Sequence, residues 1–208
     1  MVMLQFYPTY VQNIPHYDQT NYYWFQYGFN YAEIKKIEKI SKKFPYEEGK
    51  IVKENNETDN KLNTDIRKSK IKWLPPQEDT TEWIYERLMD MSLDANWNMW
   101  GFDLHHIRDA IQYTEYHENK EGEYKWHQDM GAFPLNYRKI SIVVQLSDPS
   151  EYEGGELQIM RDSREPITLP NQKGAVIMFP SYMLHRVTPV TKGVRKSLVL
   201  WVGGSTFR

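Results

Sequence analysis

Two stretches, EYKWHQDM (123–130) and KISIVVQLSD (139–148), decide how the second half of this chain folds. Both are rich in branched and aromatic residues, both end in turn-forming chemistry, and neither shows a useful helical repeat. The same texture continues on either side. FDLHHIRDAIQYTEY (102–116) precedes them, and GGELQIM (154–160), PITLP (166–170), GAVIMFP (174–180), HRVTPVT (185–191) and RKSLVLWVGG (195–204) follow. Gly, Pro, Asp or Asn punctuates each of these segments. About eight short antiparallel strands in roughly a hundred residues read as a β-sandwich or jelly roll.

The first half reads differently. YYWFQYGF (22–29) is expected as a strand with Tyr23, Phe25, Tyr27 and Phe29 on one side. Asn30 and Glu33 then form a capping box, and Ile34, Ile37, Ile40 and Phe44 make one apolar helical stripe. From 44 to 65 the chain is polar, mostly an exposed loop, and 46–66 is a candidate lid. IKWLPP (71–76) reads as a short strand stopped by two prolines. A second box, Asp79 and Glu82, is expected to open a helix with Trp83, Ile84, Leu88 and Met91 inward. The expected architecture is mainly β with flanking helices. Residues 105–208 form a jelly-roll core and 1–104 a supporting region, within one domain over 1–208.

Composition narrows the function. A length of 208 residues suits one domain with a real core, and a formal charge of −2 carries no global footprint for nucleic acid. The chain has no cysteine, which excludes disulfides, thiolate catalysis and cysteine-ligated zinc, and fits a reducing compartment. No apolar run reaches the length of a membrane span, and MVMLQFYPTY (1–10) lacks a signal pattern. A soluble, cytoplasmic protein is the expectation.

The chemistry begins at His127 and Asp129. At i and i+2 on a strand their side chains point the same way and can reach a common metal ion. The spacing alone decides nothing, because chance supplies roughly one histidine with an acid two places on in a chain of this composition, and His16–Asp18 repeats it. His185 offers a third ligand on another expected strand. Two imidazoles and a carboxylate make the facial triad of non-haem Fe(II) sites. Iron with one carboxylate and a dianionic co-substrate would be left negative, so a buried cation would restore balance. Arg195 follows His185 by ten residues, with Ser197 on the same face, and its planar fork suits a carboxylate.

Together, the segment YHENKEGEYKWHQD (116–129), the distal His185 and GVRKS (193–197) resemble the iron- and 2-oxoglutarate-dependent oxygenases, in particular the prolyl 4-hydroxylase-like branch. YEGGEL (152–157) and GAVIMFP are similar to that family's connecting strands. The resemblance covers 107–204 well and the N-terminal half only loosely. It implies a double-stranded β-helix with His127, Asp129 and His185 as ligands of Fe(2+). It implies Arg195 on the distal carboxylate of 2-oxoglutarate, Ser197 helping, and O2 as the second co-substrate. Tyr116 falls where the branch often carries a tyrosine bonded to the co-substrate, and Tyr113 is its rival. Gln145 could also face the co-substrate, and Tyr124, Trp126 and Met130, with Phe133 nearby, could line a substrate pocket. The implied reaction turns 2-oxoglutarate into succinate and CO2 and hydroxylates a C–H bond; a carboxylate at 129 favours hydroxylation over halogenation.

The implied substrate is a protein or peptide side chain, proline first. Oxidation of a nucleobase or a free small molecule is the second reading. RKSLVLW (195–201) lacks the Asn, Thr and Arg positions that nucleic-acid demethylases of this superfamily carry after their arginine. A non-catalytic metal-binding jelly roll is the third, and an anion clamp at Arg195 argues against it. Asp148 and Glu156 are alternative ionic partners for Arg195. His105, His106 and His117 are assigned no role, and Gly154–Gly155 reads as a turn or bulge rather than a phosphate cradle.

Overall fold

The computed structural model describes residues 21–49, 65–160 and 165–206. In chain order the elements are β1 (Tyr23–Phe25), α1 (Tyr31–Ser41), β2 (Glu47–Glu48), β3 (Lys70–Leu74), α2 (Glu82–Met99), β4 (Leu104–His106) and β5 (Ile111–His117). β6 (Tyr124–His127), β7 (Arg138–Gln145), β8 (Tyr152–Gly154), β9 (Leu157–Met160), β10 (Pro166–Thr168), β11 (Val176–Pro180), β12 (His185–Val187) and β13 (Val190–Gly204) complete them. Every segment expected as a strand beyond residue 100 carries one.

Two antiparallel sheets face each other. The larger runs β1-β11-β7-β13-β5-β3-β2, with β4 and β8 also paired to β13, and the smaller runs β10-β9-β12-β6. This is a double-stranded β-helix. Strand alternation divides the large sheet into two faces. Ile111, Ile140, Ile142, Val144, Leu198 and Leu200 point to the helices, where Ile34, Ile37, Ile84 and Leu88 cover them. Tyr116, Val143, Ile177 and Phe179 point to the small sheet and meet Leu157, Ile159 and Val187. The first-half strands β1, β2 and β3 extend the large sheet at its edges, so this region supports the core with strands as well as helices.

Helix α1 starts as expected. The Asn30 side chain accepts from Glu33 N at 3.0 Å, and Glu33 accepts from Asn30 N at 2.9 Å. Two expectations are corrected. The strand at 22–29 is only Tyr23–Phe25; the chain then turns, leaving Tyr27 81 % exposed while Phe29 is buried. Gly28 allows that turn, since a Cβ there would come 2.4 Å from Val176 Cγ2. At α2 the N-cap is Thr81, without a side-chain cap bond, and Asp79 sits at φ +60° instead of capping. The Gln77 carbonyl already accepts from the N–H groups of Thr80, Thr81 and Glu82, which removes the need for a box. Within the polar 44–65 stretch, Glu47–Glu48 pairs with β3. Residues 50–64, most of the candidate lid, lie outside the described residues, as do His16 and Asp18.

Candidate metal centre

The β6–β12 pairing builds the site. In that antiparallel pair His185 lies directly opposite His127, and the imidazole centroids are 4.1 Å apart. Asp129 lies just past the end of β6. Its backbone N–H and that of Met130 both donate to Ser181 O at 3.0 Å, which ties the turn after β6 to the one before β12. Asp129 Oδ1 stands 3.6 Å from His127 Nε2, and Oδ2 3.4 Å from His185 Nε2. One ligand atom from each of the three residues falls within 4.8 Å of the others.

The surroundings prepare each group to bind a cation. His127 Nδ1 is 2.7 Å from Lys125 O, and His185 Nδ1 is 2.9 Å from Met183 O. A carbonyl only accepts, so both Nδ1 atoms carry the proton and both Nε2 atoms face the centre. Ser141 Oγ donates to Asp129 Oδ2 at 2.7 Å and is itself 3.0 Å from Ser181 Oγ. Arg138 donates to the Asp129 carbonyl at 3.3 Å, pairs with Asp109 at 3.1 Å and lies over the Trp201 ring.

The charges follow from these contacts. Burial, with His185 beside it, pushes the His127 imidazole down to about 3, so it is neutral. Burial alone would raise the Asp129 carboxyl; the two imidazoles and Arg138 overcome it and hold the group well below the usual carboxylate range. Burial opposes charge on His185, but the adjoining Asp129 carboxylate raises it above its ordinary value. Asp129 thereby favours the protonated form of His185 when no metal is bound.

Beside the cluster is a partly open cavity of about 40 Å³. Arg195, 1 % exposed, is the bulkiest fully buried side chain among the described residues. Its Nη2 donates to Gln145 Oε1 at 3.0 Å, its Nε is buried with no partner, and no carboxylate pairs with it among the described residues. Asp148 instead caps the turn at Ser150, and Glu156 bonds Gln158 and Thr168. Gly154 ends β8 and Gly155 follows it, with φ of +73° and +59°; a Cβ on Gly155 would come 3.0 Å from Arg195 Cδ. Two inward Nε2 lone pairs with a carboxylate fit Fe(2+), and an orphaned guanidinium N–H in the same cavity fits a carboxylate ligand.

Alternation explains where the other expected residues fall. Tyr116 and Ser197 line the cavity with Arg195, and Tyr116 lies opposite Arg195 in the β5–β13 pair. Tyr113 has opposite parity on β5 and packs on the helix side. Tyr124 lines the cavity, its ring stacked 3.4 Å from that of His127. Trp126 does not: next to His127 it points the other way, beneath Arg186 in an outer groove. Gln145 reaches the site only through Arg195 and also donates to Pro170 O. Met130 does not line the cavity, and Phe133 is 77 % exposed. Trp201, Gln112 and Arg67 also line it, unforeseen from sequence. Period two from Arg195 through Ser197 and Val199 leads to Trp201; nothing local in the sequence marks Arg67.

The fold is thus a double-stranded β-helix that brings two histidines and an aspartate within reach of one metal ion, with a buried arginine lining the same cavity. Residues 111–203 match the family model of the 2OG-Fe(II) oxygenase superfamily. That segment, a little under half of the chain, is similar to the superfamily. A PKHD-type hydroxylase of Synechococcus sp. (strain CC9902) is 43 % identical over 81 residues, which cover 38 % of this chain and 35 % of the relative. The match thus spans little more than a third of that relative's length. A prolyl hydroxylase from Trichoplax adhaerens, solved with a hypoxia-inducible factor peptide fragment, superposes with a TM-score of 0.73 at 13 % identity, covering 89 % of this chain and 84 % of that one. A Pseudomonas putida prolyl-4-hydroxylase superposes with a TM-score of 0.65 at 17 % identity, covering 89 % and 93 %. At these identities the two structures establish the fold.

Proposed function

We propose that this chain, one oxygenase domain over 1–208, is an Fe(II)- and 2-oxoglutarate-dependent hydroxylase of the prolyl 4-hydroxylase-like branch, acting on a protein or peptide side chain, proline foremost. The observation that carries this reading is a fully buried Arg195 with no acidic partner among the described residues, in one cavity with the His127, Asp129 and His185 cluster. A structural metal site has no use for an anion clamp there. The three residues of the cluster hold the iron, while Arg195, Ser197 and Tyr116 take the distal carboxylate of 2-oxoglutarate. When bound, iron with 2-oxoglutarate and O2 supplies oxidative decarboxylation to succinate and CO2 coupled to C–H hydroxylation. The protein's share is geometric. The carbonyls of Lys125 and Met183 hold both imidazoles in the ligating tautomer, Ser141 orients the carboxylate, and Val143, Leu157, Val187 and Val199 exclude water.

The peptide assignment draws on the similarity to hydroxylases named for prolyl substrates and on the modest net charge, which disfavours nucleic acid. No helix among the described residues is long and apolar enough to cross a membrane, and the lack of cysteine fits a cytoplasmic setting. The test is mass spectrometry of proline-containing peptides incubated with the protein, iron and 2-oxoglutarate, with the co-substrate omitted as control. Gain of one oxygen atom only in the complete mixture supports the reading. A gain confined to nucleosides or free metabolites would transfer it to the second substrate class.

A further inference from the structure

The metal centre has a neighbour from outside the matched segment. Residues 66–68 run antiparallel beside β6, with Lys68 N donating to Glu123 O at 2.8 Å and Lys125 N to Ile66 O at 2.9 Å. Arg67 faces Tyr124 between those two bonds. This is the non-hydrogen-bonded kind of antiparallel pair, in which opposing side chains come closest. The Arg67 guanidinium lies over the Tyr124 ring, 4.7 Å from its centroid. The Tyr124 ring in turn stacks on His127 at 3.4 Å, with the planes 14° apart.

The guanidinium is set firmly in place. Nε donates to Ser69 Oγ at 2.8 Å and Nη2 to Gln112 Oε1 at 2.7 Å, and the residue is 8 % exposed. Even Gly49 serves this seat: a Cβ there would come 2.4 Å from Ser69 Oγ and 2.6 Å from Arg67 Nε. His127 needs such support. Its Nδ1 bond to Lys125 O fixes the tautomer and one point of the ring, but a single bond leaves the ring free to swing about that point. A flat face pressed on the imidazole removes the swing, and a fixed cation on that face keeps the tyrosine from moving.

We propose that Arg67 is a positioning residue of the metal centre: through the Tyr124 ring it sets the plane of the His127 imidazole. The N-terminal half thereby completes a site whose ligands all lie in the C-terminal half. This rests on the metal reading above and extends it to a residue that touches neither metal nor co-substrate.

The test is equilibrium binding of Fe(II), and of Mn(II) as an air-stable probe, to the full chain under anaerobic conditions, read beside the thermal midpoint of the metal-free protein. Arg67→Gln and Tyr124→Leu should each weaken metal binding by about ten-fold or more. Tyr124→Phe should bind like the parent, Arg67→Lys should recover part of the loss, and the double variant should bind no worse than Tyr124→Leu alone. Midpoints within a few degrees of the parent separate positioning from a general loss of fold. Parental affinity in Tyr124→Leu overturns the proposal, as do losses that multiply in the double variant. If Arg67→Gln does not fold, Arg67→Lys and Tyr124→Leu decide. His127→Ala is the control for the underlying reading: if it still binds metal, the metal assignment fails, whatever the Arg67 variants do.

Discussion

His127 and His185 lie directly opposite each other in the β6–β12 pair, ring centroids 4.1 Å apart. Residues 58 positions apart in sequence thus meet as cross-strand neighbours, and the two turns tied together at Ser181 place Asp129 beside both.

That geometry makes the carboxylate's support measurable. Ser141→Ala removes the hydroxyl that donates to Asp129 Oδ2, and should weaken Fe(II) binding by about ten-fold while the protein stays folded. Titration of the metal-free protein reads the loss; unchanged affinity would mean Asp129 needs no such support.

Arg195→Ala should raise the 2-oxoglutarate dissociation constant by about a hundred-fold or more and leave iron affinity intact, because the clamp is separate from the cluster. Gln145→Ala should cost roughly ten-fold, about the worth of one hydrogen bond to a charged group. Calorimetry with Mn(II)-loaded protein distinguishes the two. A parental constant in Arg195→Ala removes that residue from co-substrate binding.

Metal binding should release a proton. Asp129 raises His185 above its ordinary value and so favours its charged form in the metal-free cluster, while His127 is already neutral. Iron must displace the His185 proton. Affinity should therefore climb about ten-fold per pH unit while pH remains below that raised value, then level off. The slope of log affinity against pH checks the sign; a flat profile below neutrality would show His185 unprotonated before metal arrives.

Trp126→Ala should leave both iron and 2-oxoglutarate affinity within about two-fold, since its side chain lies outside the cavity beneath Arg186. Away from the site, Asn30→Ala should lower stability by about 1 kcal/mol and Asp79→Ala should not, because only Asn30 caps a helix. Denaturant unfolding compares them.

Much of the molecule was legible before the structure because β-strands write their faces locally. The parity that puts His127 and Asp129 together also separates Tyr116 from Tyr113, and leads from Arg195 through Ser197 to Trp201. The same rule sends Trp126, the neighbour of an inward residue, to the outer groove beneath Arg186. Asp79 departs from its capping pattern for a different reason: such a pattern counts only where no backbone carbonyl has taken the N–H groups first, as Gln77 O has at α2.

The sequence by itself determined the run of short strands, the order of His127, Asp129, His185 and Arg195 along it, and the start of α1, all of which depend on spacing and residue type within a few positions. Only the tertiary structure decided that His185 faces His127, that both imidazoles present Nε2, that Arg195 is buried without an acid among the described residues, and that Arg67 stands behind Tyr124. Those facts depend on which distant strands pair and which carbonyl lies within reach of a ring nitrogen. Pairing is settled by packing across the two sheets, so no local pattern announces it.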